Sequence, residues 1–248
     1  MAEAPVIEVI DLRKAFNGRE VLRGFSFAVA KGERFVIMGG SGAGKTVCLR
    51  LIAGLTRPDA GQIRVFGRNI ERLSEEALLP IRRRMGYVFQ GAALFDSLTV
   101  YDNVAYALHE HTSLPEPVIA SRVRHLLSLV GLETDVQGKL PDELSGGMRK
   151  RAGIARALAI EPEVMLFDEP TAGLDPTNSK MVAELIAELG TGVCETAVIV
   201  THDVELARTV ADRMAILIDG RFAATGTPEQ VHSSRDPAVQ AFLTGEAR

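Results

Sequence analysis

The stretch GGSGAGKT, residues 39–46, sets a lysine and a threonine directly behind a run of small residues. Gly39, Gly44, Lys45 and Thr46 fit the phosphate-binding pattern G-x-x-x-x-G-K-[ST], with Gly40, Ser41, Gly42 and Ala43 between them. Glycines let successive backbone N–H groups curl around phosphate oxygens, and a helix starting behind them adds its positive N-terminus. Lys45 is then expected to reach the β- and γ-phosphates of a nucleotide, and Thr46 to offer its hydroxyl to Mg2+.

Hydrolysis of that nucleotide also needs groups that hold metal and move a proton. VMLFDEP, residues 164–170, ends an apolar run with two adjacent carboxylates. Asp168 is placed to hold Mg2+, often through water, and Glu169 to act as base or polariser for the attacking water. His202 closes another apolar run, TAVIVTHD, where an imidazole can bond the γ-phosphate and orient the water. Gln90 closes GYVFQ, and its amide is expected to bind Mg2+ or a water on it, sensing the site from the loop that follows.

These residues share a setting. RFVIMGG, GYVFQ, VMLFDEP, TAVIVTHD and RMAILIDG are strand-length apolar runs closed by glycine or polar residues, as buried strands of a mostly parallel sheet are. Helical patterns such as GKTVCLRLIAGL and NSKMVAELIAEL lie between them, so the fold is predicted to be α/β with helices on both faces. IEVIDLRKAF, REVLRGFSFAVA and GQIRVFGRNI predict short antiparallel strands near the N-terminus, with turns at Asn17-Gly18 and Ala30-Lys31-Gly32. From Gly91 to Ala159 only helical spacing is seen, which predicts an inserted helical segment.

Composition narrows the partners. The 248 residues fit one large domain or one domain with an inserted subdomain, and a net charge of −4 argues against a nucleic-acid partner. Two isolated cysteines, Cys48 and Cys194, make neither a disulfide framework nor a metal site, so a reducing compartment is expected. MAEAPVIEVIDLRK shows no secretory signal, and no run nears the roughly 18 apolar residues of a membrane span, so any membrane attachment is expected through a partner.

A second glycine-rich stretch, LSGGMRKR at 144–151, offers another set of N–H and hydroxyl donors at Ser145, Gly146 and Gly147. Arg149, Lys150 and Arg151 are expected on a helix behind it, solvated or facing partners. The ordered set of GGSGAGKT, Gln90, LSGGM, VMLFDEP, AGLD and THD resembles the ATP-binding subunits of ABC transporters over nearly the whole chain.

The resemblance implies a P-loop ABC ATPase fold spanning 1–248. Residues 1–90 and 160–248 would form the core with its antiparallel β subdomain, and 91–159 the helical signature subdomain. It implies ATP and Mg2+ as ligands and a head-to-tail homodimer with two ATP sandwiched between subunits. Ser145, Gly146 and Gly147 of one subunit would face the γ-phosphate held by Lys45 of the other, so that closure excludes water and gates hydrolysis. Phe16 corresponds to the ring stacked on adenine, and Asp175 to the loop linking the two sites.

FQGAALFDSLTVYDNVAYAL (89–108), LSGGMRKRAGIARALA and the ending DPAVQAFLTGE are similar to the ATPases of Mla-type, Mce-associated lipid transporters. That likeness implies phospholipid cargo and a place on the cytoplasmic side of the inner membrane. It also implies three partners: an integral permease docking near Leu94, Phe95 and Asp96, an Mce-domain protein and a STAS-type regulator. The alternative is the same motor serving another importer, such as one for polar amino acids.

Overall fold

The structure, a computed structural model, describes residues 4–245. In chain order its strands are β1 (Ile7–Phe16), β2 (Arg19–Arg23), β3 (Phe27–Val29), β4 (Arg34–Met38), β5 (Ala60–Val65), β6 (Arg68–Asn69), β7 (Met85–Val88), β8 (Val164–Asp168), β9 (Ala197–Thr201), β10 (Arg213–Ile218) and β11 (Arg221–Gly226). The helices are α1 (Lys45–Ile52), α2 (Glu75–Arg82), α3 (Val100–His111), α4 (Glu116–Leu129), α5 (Gly146–Leu158), α6 (Pro176–Leu189), α7 (Val204–Val210), α8 (Pro228–His232) and α9 (Pro237–Leu243).

Two sheets form. The larger runs β11-β10-β4-β9-β8-β7, parallel except for the β10–β11 hairpin at one edge. Its middle strands are buried on both faces, and their alternation sorts the core. Val36, Met38, Met165, Phe167, Ile199 and Ile216 enter one apolar layer with residues of α3 to α7. Phe35, Ile37, Leu166, Val198, Val200 and Leu217 enter the opposite layer with α1, α2 and the second sheet. Period-2 alternation therefore gives each strand two apolar faces, which is why no polar stripe interrupts these runs. The second sheet is antiparallel, ordered β2-β1-β5-β6, with β3 also paired to β1.

Between 91 and 159 the described elements are α3, α4, α5 and two short 3-10 turns. Val104, Leu108, Val123, Leu127, Ile154 and Leu158 pack there in one apolar cluster continuous with the first sheet face. The predicted REVLRGFSFAVA strand is instead two strands, because Gly24 takes φ 87° and breaks the ladder between β2 and β3. Helix α2 was not legible, since Pro80 sits within it. Its Ser74 cap and the contacts of Arg82 with Glu75 and with the Ala53 and Gly54 carbonyls hold it nonetheless.

Candidate active site

Strands β4, β7, β8 and β9 end side by side, so the loops at their carboxyl ends share one crevice. The loop 39–44 leaves β4 and enters α1 through Gly44, whose φ of 103° only glycine adopts without strain. Gly40, Ser41 and Gly42 are exposed, and a Cβ built on Gly40 or Gly42 would meet nothing within 4 Å. The peptide here opens onto free space, as a cradle for phosphate must.

Lys45 begins α1 and is buried, its Nζ donating to the carbonyls of Gly39 (2.8 Å) and Gly40 (3.0 Å). The same ammonium lies 3.0 Å from Glu169 Oε1. Glu169 Oε2 accepts from the backbone N of His202 at 3.2 Å and lies 2.9 Å from its Nδ1. With Nδ1 donating to the carboxylate, Nε2 is the ring atom left for substrate, and the His202 side chain is 60% exposed. Glu169 therefore joins the cradle lysine to the histidine through one carboxylate. Its backbone takes φ 48°, a left-handed conformation that costs a residue with a Cβ about 1–2 kcal/mol.

Beside it, Thr46 Oγ1 donates to Asp168 Oδ1 at 2.8 Å, and the Tyr87 hydroxyl donates to Oδ2 at 3.3 Å. Burial pushes the Asp168 carboxyl above the usual carboxylate range. The Thr46 and Tyr87 hydrogen bonds oppose that rise, and the neighbouring Glu169 charge adds to it. A buried, charge-crowded carboxylate beside a hydroxyl favours a cation. Thr46, Asp168 and the exposed Gln90 supply a hydroxyl, a carboxylate and an amide, hard oxygen donors of the kind Mg2+ completes with substrate phosphate oxygens. Among the described residues no group of three or more His, Cys, Asp or Glu side chains could hold a metal ion.

The other predicted residues lie apart from this group. Phe16 ends β1 before the Asn17-Gly18 turn, 45% exposed, with Lys14 Nζ 5.2 Å from its ring centroid. Ser145 caps α5, its Oγ accepting from Met148 N at 3.2 Å. Gly147 abuts Asn178, whose Oδ1 would lie 2.3 Å from an added Cβ. Asn178 is in turn bonded to Asp175, Nδ2 to Oδ2 at 2.6 Å, so the second glycine stretch and the Asp175 loop meet through it.

The basic run behind Gly147 departs from the sequence reading. Arg149 donates to the Pro141 and Leu144 carbonyls, Arg151 to those of Val130 and Gly131, and Lys150 is buried. All three bind the chain's own carbonyls, because α5 packs with its basic side chains in reach of neighbouring turns and helix ends. Lys150 Nζ donates to the Gln90 carbonyl and, at 3.1 Å, to the Glu169 carbonyl. Tyr87, Lys150 and Asn178 were missed as site residues. For Lys150 a signal exists, since at 3.6 residues per turn it shares the buried stripe of Ile154 and Leu158.

The ABC transporter family model matches residues 22–172. The intermembrane phospholipid transport system ATP-binding protein MlaF of Escherichia coli K12 is 42% identical over 99% of this chain and 92% of its own length. The probable ribonucleotide transport ATP-binding protein mkl of Mycobacterium bovis is 41% identical over 96% of this chain and 66% of its own length. The dimeric, post-hydrolysis structure of the ATP-binding cassette MJ0796 bound to ADP and Pi superimposes with a TM-score of 0.83 at 30% identity, over 90% of this chain and 98% of that one. The chain belongs to the ABC transporter family. The Mla-type resemblance seen in the sequence is matched by the likeness to MlaF.

Proposed function

We propose that the chain is the ATP-hydrolysing subunit of a transporter that moves phospholipid between membranes. The observation that carries the hydrolytic part is the position of Glu169, its carboxylate 3.0 Å from the cradle lysine and 2.9 Å from the His202 ring. Lys45 and the 39–44 peptides hold the phosphates. Glu169 takes a proton from the attacking water, and His202 orients that water or the γ-phosphate through Nε2. Thr46, Asp168 and Gln90 would hold Mg2+, which when bound neutralises charge developing on the phosphates. Phe16 stacks on adenine.

The cradle leaves one side of the nucleotide open, and Ser145, Gly146 and Gly147 of a second copy close it, with Asp175 linking the two sites. The dimeric assembly of MJ0796 supports this arrangement. Phospholipid cargo is supported by the match to MlaF along 92% of that protein, which exceeds the share matched in the ribonucleotide-named relative. No described helix is long and apolar enough to cross a membrane. An integral permease is the proposed membrane partner. A periplasmic Mce-domain protein and a STAS-type regulator complete the assembly, with this chain on the cytoplasmic side of the inner membrane. The permease meets the surface around Phe95, an exposed ring whose centroid lies 5.0 Å from that of exposed Tyr106, the two planes tilted by 43°. Buried Asn103 fixes the backbone there, exchanging bonds with Phe95 N (2.8 Å) and Phe95 O (3.1 Å).

Phosphate release from Glu169→Gln should fall at least about 100-fold, as loss of a general base does. ATP binding, read by calorimetry, should persist. Equal release from mutant and wild type would remove the base assignment.

A further inference from the structure

We propose that Lys150 is a positioning residue for hydrolysis, tying the Gln90 and Glu169 peptides to the helix that carries the second glycine cradle. This rests on the hydrolytic reading of Glu169 given above. Three observations converge on it. Lys150 is 6% exposed on the apolar stripe of α5, where burying an ammonium carries a desolvation penalty that an apolar residue would not. Its amine is spent on two backbone carbonyls, those of Gln90 and Glu169, rather than on a direct carboxylate pair. Those carbonyls belong to Gln90 and Glu169, the residues assigned above to metal binding and to activation of water.

The Glu169 peptide is the one that needs holding. Its φ of 48° is unfavourable for a glutamate, and the conformation persists only where neighbours over-determine it. Glu169 N donates to Val200 O at 2.9 Å, while Glu169 O accepts from Ala172 N at 3.2 Å and Lys150 Nζ at 3.1 Å. Val200 fixes the peptide to β9, the Ala172 contact closes a local turn, and Lys150 supplies the tie to α5. Rotation of that peptide would swing the carboxylate away from Lys45 and His202. Misplacement of a catalytic group by about 1 Å costs on the order of 100-fold in rate. Because α5 starts at Ser145–Gly147, a shift of that helix when a second copy engages its N-terminus would reach Glu169 and Gln90 through one side chain.

The test uses the full chain and the variants Lys150→Met, which keeps length and loses the donors, and Lys150→Arg, which keeps donors and charge. Lys150→Met should lower kcat between about 10- and 100-fold with Kd for ATP within about twofold. Lys150→Arg should return kcat to within about fivefold of wild type. In a Glu169→Gln background, Lys150→Met should add less than about twofold to the loss, because both act through one carboxylate. Four results would overturn the inference: a wild-type kcat in Lys150→Met, an independent multiplicative loss in the Glu169→Gln background, a folded but inactive Lys150→Arg, or failure of Lys150→Met to give a folded chain by circular dichroism. The last would make Lys150 a structural residue only. Should wild type and Glu169→Gln release phosphate alike, the hydrolytic reading itself falls. A difference between those two, with Lys150→Met at the wild-type rate, sinks only the role of Lys150.

Discussion

Gly44→Ala probes whether the shape of the 39–46 loop, beyond its composition, makes the phosphate site. At φ 103° a residue with a Cβ sits outside its allowed regions, at a cost of about 1–3 kcal/mol. The new Cβ would also lie 2.7 Å from Leu22 Cδ2 and 2.9 Å from Val21 Cγ1, in a wall that includes fully buried Leu22. Overpacking of this kind adds about 1–3 kcal/mol. For a chain of this size each kcal/mol moves Tm by roughly 2–4 °C, so a loss of about 10 °C is expected. Gly40→Ala is the matched control, having no positive φ and nothing within 4 Å of its added Cβ, and should shift Tm by less than about 2 °C. ATP at a hundredfold excess over Kd stabilises a binding-competent fold by about 2.7 kcal/mol. Wild type should therefore gain about 5–10 °C on adding ATP, and Gly44→Ala should lose most of that gain. Calorimetric scans with and without ATP measure both effects. A Gly44→Ala protein that melts with Gly40→Ala and keeps its response to ATP would refute the reasoning.

Two further outcomes are expected. Ser145→Ala removes the α5 cap on Met148 N and should lower Tm by about 2–4 °C, with ATP binding by the single subunit intact and phosphate release suppressed. Ser74→Ala, which removes a like cap on Ala77 N, should match the Tm loss and keep release; equal release from both would deny the second cradle a role. Phe95→Ala should weaken permease capture in a pull-down severalfold, since an exposed aromatic anchor is lost, while calorimetry shows ATP bound as before. Unchanged capture would move the docking surface elsewhere.

The parallel strands were legible because burial on both faces writes itself as unbroken apolar runs, and four of the five runs lead to residues assigned to the proposed site: Gly39, Gln90, Asp168 and His202. The cradle was legible because phosphate chemistry demands glycines and a lysine in a fixed order. What escaped was tertiary. Tyr87 reaches Asp168 from a neighbouring strand at a sequence separation of 81, and Asn178 meets Gly147 from another helix, contacts that no local pattern records. Helix α2 was hidden by its proline. The basic run at 149–151 looked like surface because charge is the usual mark of surface, yet its helical phase already put Lys150 beside Ile154 and Leu158.

The alternation along β8 carries a consequence for how this molecule tolerates change. Leu166 belongs to one layer and Phe167 to the other, and Asp168 and Glu169 inherit their aim from that count. Exchanging one aliphatic for another in this strand alters filling; deleting one residue reverses every side chain beyond the gap and turns the acids off target together. Changes of length are thus expected to be tolerated in surface connections such as 112–115 and not in β8, whose five residues work as a ruler whose divisions matter more than the material between them.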